Sequence, residues 1–330
     1  MQKMVPSNSV QQAAGFAQGL SHIDPIRAVL RSDTDCALAI ICGVEGPSYR
    51  DLGAMMFVDK NGKCIGSISS GCVEADIVQQ AFGAIENGNP RVIRYGIGSP
   101  FMDIRLPCGG GLDLAIVPNP EKSVLRDVVT RLVQRQPVEL ILEPQSGALR
   151  LARRQGGIYP SEVSIYLKPE LNFLIFGSGP EAISFAGLVA SLGYHGEVCS
   201  PDGATLEDAH RLGCAGRELV RAKNLDFEAD SRTAIVLFFH DHDWEPPILK
   251  HALTTDAFYI GAQGSLRASA TRNQSLRVLG VSEQDIERIT GPIGIVKSAR
   301  DPRTLAISVL AEVVDWARMT CDKPESGNRA

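Results

Sequence analysis

Leu171 Asn172 Phe173 Leu174 Ile175 Phe176 Gly177 Ser178 Gly179 Pro180 Glu181 Ala182 is the stretch that decides the fold of this 330-residue chain. Its first six residues form an apolar run of strand length, and the apolar residues from Ala182 to Leu192 continue as a helix. Between them stands Gly-x-Gly-x-x-Ala. The first glycine makes the turn, the second admits a phosphate, and the small third residue lets the helix pack on the strand. In this strand-turn-helix setting the motif predicts a Rossmann-like, doubly wound parallel-sheet domain over residues 171–318, with Gly177 and Gly179 as candidate cofactor contacts.

Working outward, the strand from Glu197 to Ser200 should end on an acidic residue for a dinucleotide's ribose. Ser200 and Pro201 intervene before Asp202, which lies 25 positions after Gly177 where about 20 are usual. That spacing argues against a ribose contact. Strands at Ala234–Phe239 and Phe258–Ala262 run into His240 Asp241 His242 and into Gln263 Gly264 Ser265, clusters expected on the same side of the sheet as Gly179. His240 and His242 alternate as metal ligands would, but they have no evident third partner, and hydrogen bonds that anchor the loop are the simpler role. A last strand is expected at Gly291–Ile295 and a helix from Pro302 to Ala317, with a flexible tail over 319–330. This apolar helix is expected to bury against the sheet or another copy of the chain, and the expected assembly is a homo-oligomer, a dimer.

The first half opens with a flexible tail over 1–20 and forms a mixed α/β domain over 21–167, joined by a linker at 168–170. Its central feature is Gly66 Ser67 Ile68 Ser69 Ser70 Gly71 Cys72 Val73 Glu74, where a strand gives way to the helical pattern of Val73, Ile77, Val78 and Ala81. Cys72 is thereby placed at a helix N-terminus, which favours an anion: its own thiolate or a ligand's phosphate. The strand before it pairs as a hairpin with Met55–Val58 across Asn61–Gly62. In the loop from Gly43 to Leu52, Arg50 is either a bidentate phosphate clamp or a surface ion-pair partner of Asp51 or Glu74. A second thiol stretch, Cys108 Gly109 Gly110 Gly111, precedes a strand at Leu112–Val117. Its glycines provide bare backbone for a ligand or a plain bulge.

A formal net charge of −5 argues against a nucleic-acid partner, and no window has the roughly 20 apolar residues of a membrane span. The N-terminus lacks a secretory pattern, so the expected compartment is the cytoplasm. Eight cysteines without a Cys-x-x-Cys pair make neither a disulfide framework nor a zinc ribbon. Cys36, Cys42, Cys199 and Cys214 read as small buried hydrophobes.

The chain resembles the XdhC/CoxI family, accessory proteins of xanthine dehydrogenase and related molybdenum hydroxylases. The likeness rests on Tyr49 Arg50 with Gly53 Ala54, on Gly66 to Glu74, and on Cys108 Gly109 Gly110. In the second half it rests on Gly177 Ser178 Gly179, Asp241 His242 with Ile248 Leu249, Tyr259 Ile260 Gly261 with Gly264 Ser265, and Gly291 to Gly294. The resemblance implies a chaperone rather than an enzyme, one that binds the molybdenum cofactor (molybdopterin or its nucleotide form). Such a protein holds the cofactor while a cysteine desulfurase supplies sulfur, then delivers it to an apo hydroxylase of xanthine dehydrogenase or aldehyde oxidoreductase type.

On that basis Cys72 and Cys108 are the candidate molybdenum contacts, since thiolates suit a soft metal. Ser67, Ser69, Gly71, Gly109 and Gly110 are then candidate donors to pterin or phosphate oxygens. The alternative is an NAD(P)-dependent oxidoreductase with His240 or His242 as acid/base, and a blander third reading is a nucleotide-sensing interaction module. Ser200–Pro201, and Ile295 Val296 Lys297 where the family commonly has an acidic residue, count against a nicotinamide dinucleotide.

Overall fold

The structure is a computed structural model that describes residues 21–69, 71, 73–99, 106, 109–152, 157–220 and 226–321. The chain forms two compact units that divide between Pro169 and Glu170.

The N-terminal unit is built on strands β1 (Cys36–Glu45), β2 (Met55–Asp59), β3 (Cys64–Gly66), β4 (Arg91–Gly96) and β5 (Gly111–Pro118). They form an antiparallel sheet in the order β3-β2-β1-β5-β4. The apolar run of β1 is covered on both faces, as its lack of alternation requires. On one face Leu38, Ile40, Phe57 and Val117 pack with helices α1 (Asp24–Arg31) and α3 (Lys122–Val133). A small sheet of β6 (Val138–Glu143), β7 (Ala148–Leu151) and β8 (Val163–Leu167) completes that core. On the other face Ala37, Ala39, Ile41, Leu114 and Ile116 pack with Ile77, Ala81 and Ala84 of helix α2 (Glu74–Asn87). Strand β7 is not expected from the sequence, because its four residues are too few to show a period.

The C-terminal unit has a parallel sheet of β9 (Asn172–Gly177), β10 (His195–Ser200), β11 (Ala215–Glu218), β12 (Thr233–Phe238), β13 (Tyr259–Ala262) and β14 (Ile289–Thr290). Their order is β11-β10-β9-β12-β13-β14, so the direction of winding reverses at β9 and β12. Alternate residues of β9 and β12 serve opposite faces. Phe173, Ile175, Val236 and Phe238 meet helices α4 (Pro180–Ser191) and α9 (Pro302–Thr320). Leu174, Phe176, Ile235 and Leu237 meet the layer of helices α6 (Glu245–Ala252) and α7 (Leu266–Val278), reached through Ile248, Leu249 and Leu276. Helix α5 (Gly203–Arg211) and the short α8 (Glu283–Ile286) complete the unit. The doubly wound parallel domain read from Gly177–Ala182 is therefore present.

Strand β1 runs three residues into the segment expected as loop, to Glu45, and two boundaries near the C-terminus differ as well. The strand expected at Gly291–Ile295 ends earlier, at Thr290. Beyond it the N–H groups of Gly294 and Val296 donate to Glu312 Oε2 and Ser308 Oγ of α9 instead of to a neighbouring strand. Helix α9 also continues past Ala317 to Thr320, into the segment read as tail.

Candidate functional site

Three loops of the N-terminal unit leave the sheet at one end. Gly111 at the start of β5 pairs with Glu45 at the end of β1, Gly96 at the end of β4 pairs with Gly111, and Gly66 at the end of β3 pairs with Met56. The loop carrying Tyr49 and Arg50, the loop from Gly66 to Glu74 and the loop leading to Gly110 therefore start from the same side. Val73 and Leu106 bury in the same apolar cluster, and Tyr95 donates to Asp76 of α2 at 2.6 Å, tying the helix start to the end of β4. The two glycine-rich stretches, distant in sequence, are thus neighbours in this unit. Cys72 and Cys108 themselves lie outside the described residues.

Gly110 explains why bare backbone stands in the second stretch. A Cβ there would lie 2.1 Å from the carbonyl oxygen of Pro47, and its own carbonyl accepts the Ile97 N–H at 3.1 Å. The glycine is wedged between the β1–β2 loop and the end of β4, and Gly109 beside it is exposed. Arg50 is also exposed, and its guanidinium has no carboxylate partner among the described residues, so the ion pair with Asp51 or Glu74 does not form.

The Gly66–Glu74 loop corrects the sequence reading. Its donors are expected to face a ligand, but they converge on Glu74. Oε1 accepts from Ser67 Oγ at 2.8 Å, Ile68 N at 3.1 Å and Ser69 N at 2.8 Å. Oε2 accepts from Ser69 Oγ at 2.7 Å, Gly71 N at 2.8 Å and Val73 N at 3.3 Å. The anion that a helix N-terminus favours is here supplied by the helix's own first residue. Burial alone would raise the Glu74 pKa, but the Ser69 hydroxyl and amide and the Ser67 hydroxyl more than offset it, holding the carboxyl at about 2. Ser67, Ser69 and Gly71 therefore shape the loop around Cys72 through Glu74. The signal available in the sequence is an acidic residue in the first turn of a helix that follows a Ser/Gly loop.

Four of the other thiols are held protonated, Cys36, Cys199 and Cys214 buried as expected and Cys42 half-buried. Burial pushes Cys42 up to about 11, helped by Asp113, and Cys199 to about 12, and it raises Cys36 and Cys214 as well. A protonated buried thiol is a poor nucleophile and metal ligand.

In the C-terminal unit the first glycine of the turn and the turn's hydrogen-bond donors face the protein, while a Cβ on Gly179 would meet open space. A Cβ on Gly177 would lie 2.6 Å from the Phe238 carbonyl oxygen, so this glycine serves the packing of β9 on β12. The Gly179 N–H donates to Thr205 Oγ1 at 3.0 Å, Ser178 and Ser200 share a hydroxyl hydrogen bond at 2.9 Å, and Glu181 places a carboxylate in the first turn of α4. An acidic group there opposes a phosphate. Asp202, the residue a ribose would need, caps α5 by accepting from Thr205 N at 3.0 Å.

His240 and His242 separate. His240 Nε2 meets Glu181 Oε2 at 3.4 Å, and His242 Nδ1 meets Glu245 Oε1 at 3.0 Å. No group of three His, Cys, Asp or Glu side chains among the described residues is arranged to hold a metal ion. Glu245 is fully buried and pairs through Oε2 with the equally buried Arg272 at 3.0 Å, a contact absent from any sequence pattern because the partners are on different helices.

The XdhC Rossmann-domain family model matches residues 173–313, and the model of the XdhC and CoxI family matches residues 29–96. The chain is 36% identical over 286 residues to the molybdenum cofactor insertion chaperone PaoD of Escherichia coli K12, covering 86% of this chain and 84% of that protein. It is 23% identical over 328 residues to a probable xanthine dehydrogenase subunit of Bacillus subtilis, covering 87% and 94%. A solved structure from Bacillus halodurans described as a xanthine dehydrogenase superposes with a TM-score of 0.77 at 21% identity, covering 93% of this chain and 98% of that one, which establishes a shared fold. With both halves matched in order, the chain belongs to the XdhC/CoxI family.

Proposed function

We propose that this protein is a maturation chaperone that binds the molybdenum cofactor, holds it while a cysteine desulfurase supplies its terminal sulfur, and delivers it to an apo hydroxylase of xanthine dehydrogenase or aldehyde oxidoreductase type. The observation that carries this reading is the 36% identity to an insertion chaperone over 86% of the chain. The cofactor is cargo, so no catalytic residue is assigned. We place the work in the cytoplasm and in a homodimer; no helix of the described residues is long and apolar enough to cross a membrane.

The donor set of the N-terminal unit fits such cargo in part. Soft thiolates at Cys72 and Cys108 suit molybdenum, and the exposed Gly109 backbone and the exposed Arg50 guanidinium suit phosphate or pterin oxygens. Ser67, Ser69 and Gly71 support the reading differently, by holding the Cys72 loop in shape around Glu74. Gly177 and Gly179 lend it no contact, because one packs against β12 and the other donates to Thr205. The NAD(P) oxidoreductase alternative loses support for the same reason, and with Asp202 engaged as a cap it has no ribose partner.

Protein purified from a host that makes the cofactor is expected to carry pterin and its optical spectrum, and the Cys72→Ala, Cys108→Ala double variant to lose most of both. A wild-type protein without pterin would overturn the chaperone reading. Equal pterin in the double variant would remove only the thiols' role.

A further inference from the structure

The C-terminal unit contains a cavity of about 720 Å³ that the glycine turn does not share. It lies beyond the carboxyl ends of β13 and β14, between the loop at Gln263–Leu266 and the loop at Pro292–Arg300. In the sheet order β13 is two strands from β9, roughly 10 Å from the Gly177–Gly179 turn. The volume is that of a small-molecule pocket.

Its charge differs from that of the turn. Lys297 and Arg300 line it, no acidic residue does, and neither cation has a carboxylate partner among the described residues. This stands out in a chain of net charge −5. Beside the cations the wall is apolar: Leu266 is 76% exposed and Val296 46% exposed, both lining the cavity.

The walls are also built. Val296 N donates to the fully buried Ser308 at 2.7 Å, fixing one loop on α9. The other loop rests on Arg272, only 3% exposed, whose Nη1 donates to the Gln263 carbonyl at 3.2 Å while Nε and Nη2 are buried without a partner among the described residues. That Nη2 lies against Gly291, the residue before the lining Pro292.

We propose that this cavity binds a nucleotide, its phosphate held by Lys297 and Arg300 and its base against Leu266 and Val296. The crevice at the glycine turn carries a carboxylate and inward-facing donors, while the β13–β14 end carries cations without carboxylate partners and an apolar wall. The anion site of this Rossmann-type unit has therefore moved along the sheet. The proposal is independent of the cofactor reading, since it concerns other residues and is read by nucleotide binding alone.

The test is calorimetric titration of the full chain, freed of small molecules, with cytidine, guanosine and adenosine monophosphates at low ionic strength. At least one should bind, more weakly as salt rises. Lys297→Ala and Arg300→Ala should each weaken binding about tenfold, as loss of a charge-assisted contact does. Leu266→Asp should abolish it, and Lys60→Ala, on an exposed turn of the other unit, should leave it unchanged. All of these positions are exposed, so the fold is retained. No binding by the wild-type chain, wild-type affinity in Lys297→Ala with Arg300→Ala, or inorganic phosphate binding as tightly as the nucleotides would each overturn the proposal.

Discussion

Glu245→Ala is expected to destabilise the C-terminal unit by about 3–5 kcal/mol, the range for removing one partner of a buried ion pair. Glu245 is fully buried and the Arg272 side chain is 1% exposed, so the guanidinium left behind would keep its charge without water or a carboxylate. Arg272 already has two nitrogens, Nε and Nη2, without partners among the described residues, which leaves little to compensate the loss. His242 would also lose the carboxylate that orients its ring beside Gly264. Both tryptophans of the chain, Trp244 and Trp316, lie in this unit, so denaturant unfolding followed by intrinsic fluorescence reports it selectively. The Glu245→Gln, Arg272→Met pair should cost much less than the sum of the single changes, because it removes both charges together. Strict additivity would show that the pair contributes no coupling.

Glu74→Ala is expected to cost the N-terminal unit about 2–4 kcal/mol, from the orphaning of buried donors at Ile68 and Ser69. The loop around Cys72 should loosen, seen as faster hydrogen exchange at residues 67–73, and pterin retention should fall with it. The pH dependence has a definite sign. The Glu74 carboxyl in the folded state lies below the ordinary 4.5, at about 2, so its contribution is complete above about 4.5 and is lost as pH falls toward 2. Half-exposure and solvent screening limit the charge-linked part to roughly 1–2 kcal/mol. The stability gap between wild type and Glu74→Gln should therefore narrow from pH 6 to pH 3. A gap constant over that range would show that charge plays no part in holding the loop.

The sequence by itself determined the local grammar of this protein. Apolar runs and their periods placed β1, β9, β12 and the long helices, Asn61–Gly62 placed the β2–β3 hairpin, and Gly177–Ala182 placed the parallel domain, since each depends on neighbours within a few residues. Ordered motifs across both halves pointed to the family. What remained depended on which donor meets which acceptor across the fold. Glu74 turning back on the Ser67–Gly71 donors, Gly110 wedged against Pro47, and Glu245 meeting Arg272 at a separation of 27 residues all follow from chain paths that no periodicity records. Glycines and serines advertise backbone access and donors in sequence. Only the tertiary structure decided whether those groups face a ligand or the protein itself, because a hydrogen bond is satisfied by the nearest correctly oriented acceptor, and that orientation is set by packing.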